Sequence, residues 1–157
     1  MDDKQPVSFF AMEYYLLIWN RSFEITVTSE SLSGALVRGG MASHGSMLAA
    51  GVGAARETGR AEVLFDADAL ASARKHQPGS PGQLALHRVN FTVPRRLVQG
   101  LRFDPRRKWG MGFVPHSGRI HLSMHDNTSR EFILLAQQDG KELLDRAGTL
   151  GHAVLSR

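Results

Sequence analysis

Residues 23–28 read Phe-Glu-Ile-Thr-Val-Thr. Phe23, Ile25 and Val27 fall on one side of an extended chain and Glu24, Thr26 and Thr28 on the other. That period of two marks a half-buried strand. The pattern recurs in Arg119–Met124, where Ile120, Leu122 and Met124 point together and His121, Ser123 and His125 point the opposite way. Two separated segments of this kind need a common core, which antiparallel pairing supplies.

Working outward, Tyr14–Trp19 (YYLLIW) is a short buried-strand candidate and Asn20-Arg21 a turn. Leu32–Arg38 is a third strand, closed by Gly39-Gly40. The composition then changes. Residues 41–59 are rich in Ala, Gly, Ser and Met, and Ser46 is placed to cap a helix ending near Glu57. Its glycines weaken that helix by roughly 1 kcal/mol each relative to alanine. Ala42, Ser46, Ala50 and Ala54 form a small-residue stripe that can pack on the chain's own sheet or on a second copy. Ala61–Phe65 reads as a short strand, Asp66 caps a helix over Ala67–Lys75, and His76–Gln83 reads as a loop.

Strands resume at Val89–Val93, Arg96–Phe103, Gly110–Val114, Arg119–Met124 and Glu131–Leu135. Asp126-Asn127 is a turn between the last two. A helix starts within Gln137–Leu144, runs to Ala147 and stops at Gly148. Strands, a helical insertion over 41–83, more strands and a closing helix predict a mainly β (α+β) fold. About seven antiparallel strands would form a curved sheet or partly open barrel with the C-terminal helix against it. The 157 residues read as one domain, 1–157.

Two segments resemble the bacterial pleckstrin-homology-like and GRAM-like domains. FEITVTSESLSGALVRGG (Phe23–Gly40) is similar to their opening hairpin. Residues 89–147, carrying NFTVPRRLVQGLRF and GRIHLSMHDNTSREFILLAQQDGKELLDRA, are similar to their later strands and acidic closing helix. Residues 41–83 lie outside the resemblance. It implies a binding or scaffolding module, in some members one that takes acidic lipid head groups, and it transfers no catalytic residue.

Nineteen Lys and Arg against fifteen Asp and Glu give a formal charge of +4, with arginine far outnumbering lysine. That balance favours anionic partners without naming one. The densest cationic stretch is Arg102, Arg106, Arg107 and Lys108, followed by Trp109, Gly110 and Gly112. Guanidinium groups grip phosphate bidentately and an indole suits a membrane interface. The other reading is a solvated hairpin tip, since Asp104 lies within the cluster. Arg95 and Arg96 join it only if the sheet brings them near. Trp109 and Phe113 flank Met111 at period two, a spacing that also suits core residues.

Absence of cysteine excludes disulfides, thiol catalysis and thiolate metal sites. His121 and His125 would lie roughly 13 Å apart on a straight strand, too far to share one metal; His116 is nearer the turn. Neither a metal nor a cofactor is expected. No nucleophile elbow, zincin motif or phosphate loop occurs. GVGAAR (Gly51–Arg56) lacks the third glycine of a dinucleotide loop, and no motif for sequence-specific nucleic-acid binding occurs. The expectation is a non-enzymatic, cytoplasmic protein, peripheral at a membrane in one version. Its partner would be an acidic lipid or a protein, with homo-oligomerisation through 41–60 a further option. The alternatives are a small enzyme with a site assembled across the insertion and a purely structural, self-associating subunit.

Overall fold

A computed structural model describes residues 4–16, 19–37 and 45–156. Seven antiparallel strands form one sheet curled into a half-barrel. They are β1 (Val7–Leu16), β2 (Trp19–Val27), β3 (Ser31–Leu36), β4 (Phe91–Pro94), β5 (Val98–Asp104), β6 (His116–Met124) and β7 (Ser129–Leu135). The order across the sheet is β4-β3-β2-β1-β7-β6-β5. Two meanders, β1–β4 and β5–β7, are thus joined where β1 pairs with β7. The described residues also form four helices: α1 (Gly45–Thr58), α2 (Ala67–Ala73), α3 (Pro81–Leu86) and α4 (Gly140–Thr149).

The alternating residues build the core as expected. Phe23, Ile25, Val27, Ile120, Leu122 and Leu134 are fully or almost fully buried on one face of the sheet. There α4 packs through Leu144, Ala147 and Leu150, with Leu143 at the margin. Asp139 caps α4 by accepting from the backbone N–H groups of Lys141 and Glu142. Toward the strand ends, the Arg130 guanidinium pairs with Glu13 and lies 3.5 Å from the centroid of the Phe91 ring.

The opposite face of the central strands is also buried. Phe10, Met12, Ala35, Val37, Ile133 and Leu135 meet Val52 and Ala55 of α1 and the segment around Leu64 and Phe65. Phe10 and Phe65 stack at 5.2 Å between centroids, and Arg74 beyond α2 forks onto Glu24 at 2.9–3.1 Å. The insertion therefore roofs the second face of the sheet. Of its small-residue stripe, Ala42 and the side chains of Ser46 and Ala50 lie outside the described residues, and Ala54 is half-buried.

Several expectations are corrected. β1 starts at Val7, well before Tyr14, and Asn20-Arg21 belongs to β2; Leu16 pairs with Trp19. Ser46 falls inside α1, which starts one residue earlier at Gly45. Ala61–Phe65 is a single 3-10 turn at Glu62–Leu64. The stretch His76–Gln83 contains the start of α3, capped by Ser80 with Pro81 in its first turn. Arg95–Leu97 is another 3-10 turn preceding β5. Gly110–Val114 is no strand, because Gly110 and Gly112 have φ of 87° and 57°, which interrupt an extended chain. Gly148 lies within α4, and the left-handed residue after the helix is Gly151 (φ 91°).

The half-barrel has two edges. Beside β5, the final residues add a short parallel bridge: Leu101 N–H donates to Ala153 and Leu155 N–H donates to Leu101, both at 2.8 Å. That cover protects an otherwise open strand edge. At the other edge, Pro94 ends β4 and supplies no ladder donor.

A candidate docking loop between β5 and β6

The cationic stretch lies in the connection 105–115. It begins at Asp104, a buried carboxylate at the end of β5. Arg106 donates to it from its backbone N–H (3.0 Å), Nε (3.0 Å) and Nη2 (2.8 Å), and Arg119 of β6 adds Nη2 at 2.8 Å. Arg119 also reaches Glu131 of β7 at 3.2 Å, and Lys108 Nζ reaches the same carboxylate at 2.7 Å. Three cations and two carboxylates thus form one chain of ion pairs across three strands and the loop.

The protonation equilibria follow. The side-chain and backbone donors of Arg106 hold the Asp104 carboxyl far below the ordinary carboxylate range, with Arg119 assisting. Burial pushes the Glu131 carboxyl up, but the Lys108 hydrogen bond and the Lys108 and Arg119 charges outweigh it and leave it below its usual value. His121 sits beside this network, 3.8 Å from Glu131. Burial first, then the charge of Arg102, hold its imidazole below its usual pKa.

The next turn is set by His116. Its Nε2 accepts from the backbone N–H of Lys108 at 3.1 Å, and its Nδ1 lies 3.1 Å from the Val114 carbonyl. One ring nitrogen accepting and the other donating fits the neutral tautomer protonated at Nδ1. Arg56 at the end of α1 donates to the Phe113 carbonyl at 2.9 Å. Met111 is buried against the second face of the sheet.

Gly110 and Gly112, at φ of 87° and 57°, break the period of two on either side of Met111, so Trp109 and Phe113 do not follow it inward. Trp109 is 89% exposed and Phe113 83% exposed. They are the only large hydrophobic side chains among the described residues exposed to this degree. Behind them runs an open groove of about 950 Å³, bounded by the loop, the end of α1 and residues 136–139.

Of the five cluster residues, Arg107, Lys108 and Trp109 border this groove, whereas Arg106 is folded onto Asp104. Arg102 lies on β5 opposite His121, away from the groove. Arg95 and Arg96 precede β5, whereas Arg106, Arg107, Lys108 and Trp109 follow it. The strand's seven residues at about 3.3 Å each separate them by roughly 20 Å. Phe113 and Arg56 were not legible as site residues, because only the fold brings α1 beside the loop. Among the described residues no group of three or more His, Asp or Glu is gathered as metal ligands, and no helix is long and apolar enough to cross a membrane.

No family model, no curated protein and no solved structure matches the chain.

Proposed function

We propose that the chain is a non-enzymatic, pleckstrin-homology-like binding module that docks on acidic lipid surfaces through the loop 105–115. The observation that carries this reading is the pair Trp109 and Phe113, almost wholly exposed on a loop that its own ion pairs and Met111 hold in shape. Two solvent-facing aromatic rings on a preformed tip suit the membrane interface, where an amphipathic ring finds both apolar and polar surroundings. The resemblance of residues 23–40 and 89–147 to pleckstrin-homology-like domains supports the same class, as does the half-barrel with its C-terminal helix.

The balance of forces differs from a purely cationic tip. Arg106 and Lys108 are held by Asp104 and Glu131, so Arg107 is the cluster cation beside Trp109 that makes no ion pair among the described residues. Burying on the order of 100 Å² of each ring at about 25 cal/mol/Å² contributes roughly 5 kcal/mol for the pair. One basic residue near an acidic surface adds about 1 kcal/mol. Aromatic insertion therefore dominates and the salt dependence is shallow.

Co-sedimentation with vesicles of mixed neutral and acidic phospholipids tests this. Trp109→Ala with Phe113→Ala should weaken binding at least about a hundredfold, and Arg107→Ala by about fivefold. Equal sedimentation of wild type and the double aromatic variant, or none by the wild type at low salt, would sink the proposal.

A further inference from the structure

At the other end of β5 lies a second groove, of about 490 Å³. Four separate connections converge on it. The β2–β3 turn contributes Glu30, the 3-10 turn before β5 contributes Arg95 and Arg96, the β6–β7 turn contributes His125, and the chain beyond α4 contributes Gly151 and Ala153. Backbone bonds fix these pieces together. Arg95 N–H donates to Glu30 at 2.8 Å, and His125 N–H donates to Leu97 at 3.1 Å. Gly151, at φ 91°, leaves the space that the Arg95 guanidinium occupies: a Cβ there would stand 2.3 Å from Nη1.

Basic side chains outnumber acidic ones here. At the loop 105–115, three cations share two carboxylates, and Arg74 and Arg130 are matched by Glu24 and Glu13. No ion pair among the described residues includes Arg95 or Arg96, although Glu30 borders the same groove. Two arginines adjacent in sequence and an imidazole therefore line a small-ligand-sized recess in which Glu30 is the one carboxylate, leaving positive charge in excess. Such a field concentrates anions, and planar guanidinium forks match the oxygens of a phosphate.

We infer that this groove is a second, separate anion site that takes a phosphate-bearing ligand. β6 runs nine residues from His116, at the docking loop, to Met124, beside His125. At about 3.3 Å per residue the two sites lie roughly 25–30 Å apart along that strand. A membrane touching Trp109 and Phe113 would contact the protein at a separate place, and the inference stands without the lipid-docking reading.

Calorimetric titration of the full chain with pyrophosphate at low ionic strength is the first test. Binding should be saturable. It should weaken about tenfold or more in the exposed pair Arg95→Ala/Arg96→Ala, and be unchanged in the variant Trp109→Ala/Phe113→Ala. Glu30→Gln, which keeps the backbone carbonyl that holds Arg95, should tighten it. A second arm uses vesicles carrying a phosphomonoester lipid and the double aromatic variant, to separate a lipid head group from a free phosphate. Arginine-dependent binding in either arm supports the site and tells which source it uses. No binding in either arm, equal affinity without the two arginines, or weaker binding in Glu30→Gln would overturn it. Thermal melting of the variants, expected to match wild type, excludes unfolding as the cause of any loss.

Discussion

Gln138 holds together the seam on which the half-barrel depends. Among the described residues β1 and β7 share the pairs Ala11↔Leu134 and Met12↔Ile133 before the chain leaves β7. It turns away at Ala136, whose φ is 57°. The next rung of the ladder, at Phe10, is supplied by a side chain. Gln138 Oε1 accepts from Phe10 N–H at 2.9 Å, while Nε2 donates to the carbonyls of Phe10 (2.6 Å) and Leu135 (2.7 Å). Gln138→Ala removes all three bonds and leaves the N–H of buried Phe10 without this acceptor. At about 0.5–1.5 kcal/mol net for each of the three bonds, the loss should be roughly 2–4 kcal/mol. For a chain of this size that lowers the melting temperature by about 5–12 °C. Gln138→Glu is the sharper comparison, since it keeps the acceptor but sets a carboxylate against two carbonyls. It should be at least as destabilising near neutral pH. Urea denaturation of the three proteins measures this. If Gln138→Ala stays within about 0.5 kcal/mol of wild type, the side chain is not completing the seam.

Leu122→Ala, at a fully buried site packed under α4, should lower stability by about 2–5 kcal/mol in the same assay. Because the folded state depresses the His121 pKa, the unfolded chain binds more protons below about pH 6.5. Stability should therefore fall as pH drops through that range, and His121→Gln should flatten that part of the profile. Asp104 and Glu131 titrate below their ordinary values, so their stabilisation is complete above about pH 4.5 and is lost only in more acidic solution. Accordingly, tryptophan fluorescence of a Trp19→Phe variant, reporting Trp109 alone, should hold steady from pH 7 to 5 and change on further acidification. Asp104→Asn should increase acrylamide quenching of that signal little, since Trp109 is already exposed, but should make the loop measurably more susceptible to trypsin after Arg106 and Arg107.

The strands legible in the sequence were those with one face in the main core. FEITVT and RIHLSM alternate because their other faces are partly polar: Glu24 meets Arg74, and His121 meets the charge network. β1 hid its start for the opposite reason. In VSFFAMEYYL, Phe9 and Ala11 enter one core while Phe10 and Met12 enter the other. A strand roofed on both sides has no polar period to read. The same roof explains the insertion. Its glycine-rich helix has little propensity of its own and depends on Val52 and Ala55 against the sheet, a contact that local sequence cannot announce. Gly110–Val114 failed as a strand because glycine placed there serves left-handed turns, and residue type alone does not separate a strand glycine from a turn glycine.

The site was legible as a concentration of charge, and its meaning depended on partners far along the chain. Arg106 is matched by a residue two positions away, which the sequence displays, but Lys108 is matched by Glu131, twenty-three residues on. Once these pairs form, a run of three cations presents one with no ion pair among the described residues, and the exposed feature becomes the two aromatic rings. The reverse holds for Arg95 and Arg96. In sequence they are a minor pair beside a proline; in the fold they line a groove with Glu30, His125 and the chain beyond α4, with no ion pair among the described residues. Charge density along a chain and positive potential in space therefore need not coincide. The difference is set by which strands the topology makes neighbours. Here β7 brings Glu131 beside β6, so the denser cationic stretch is the one neutralised. The sparser pair, flanking β5 at its other end, keeps its field.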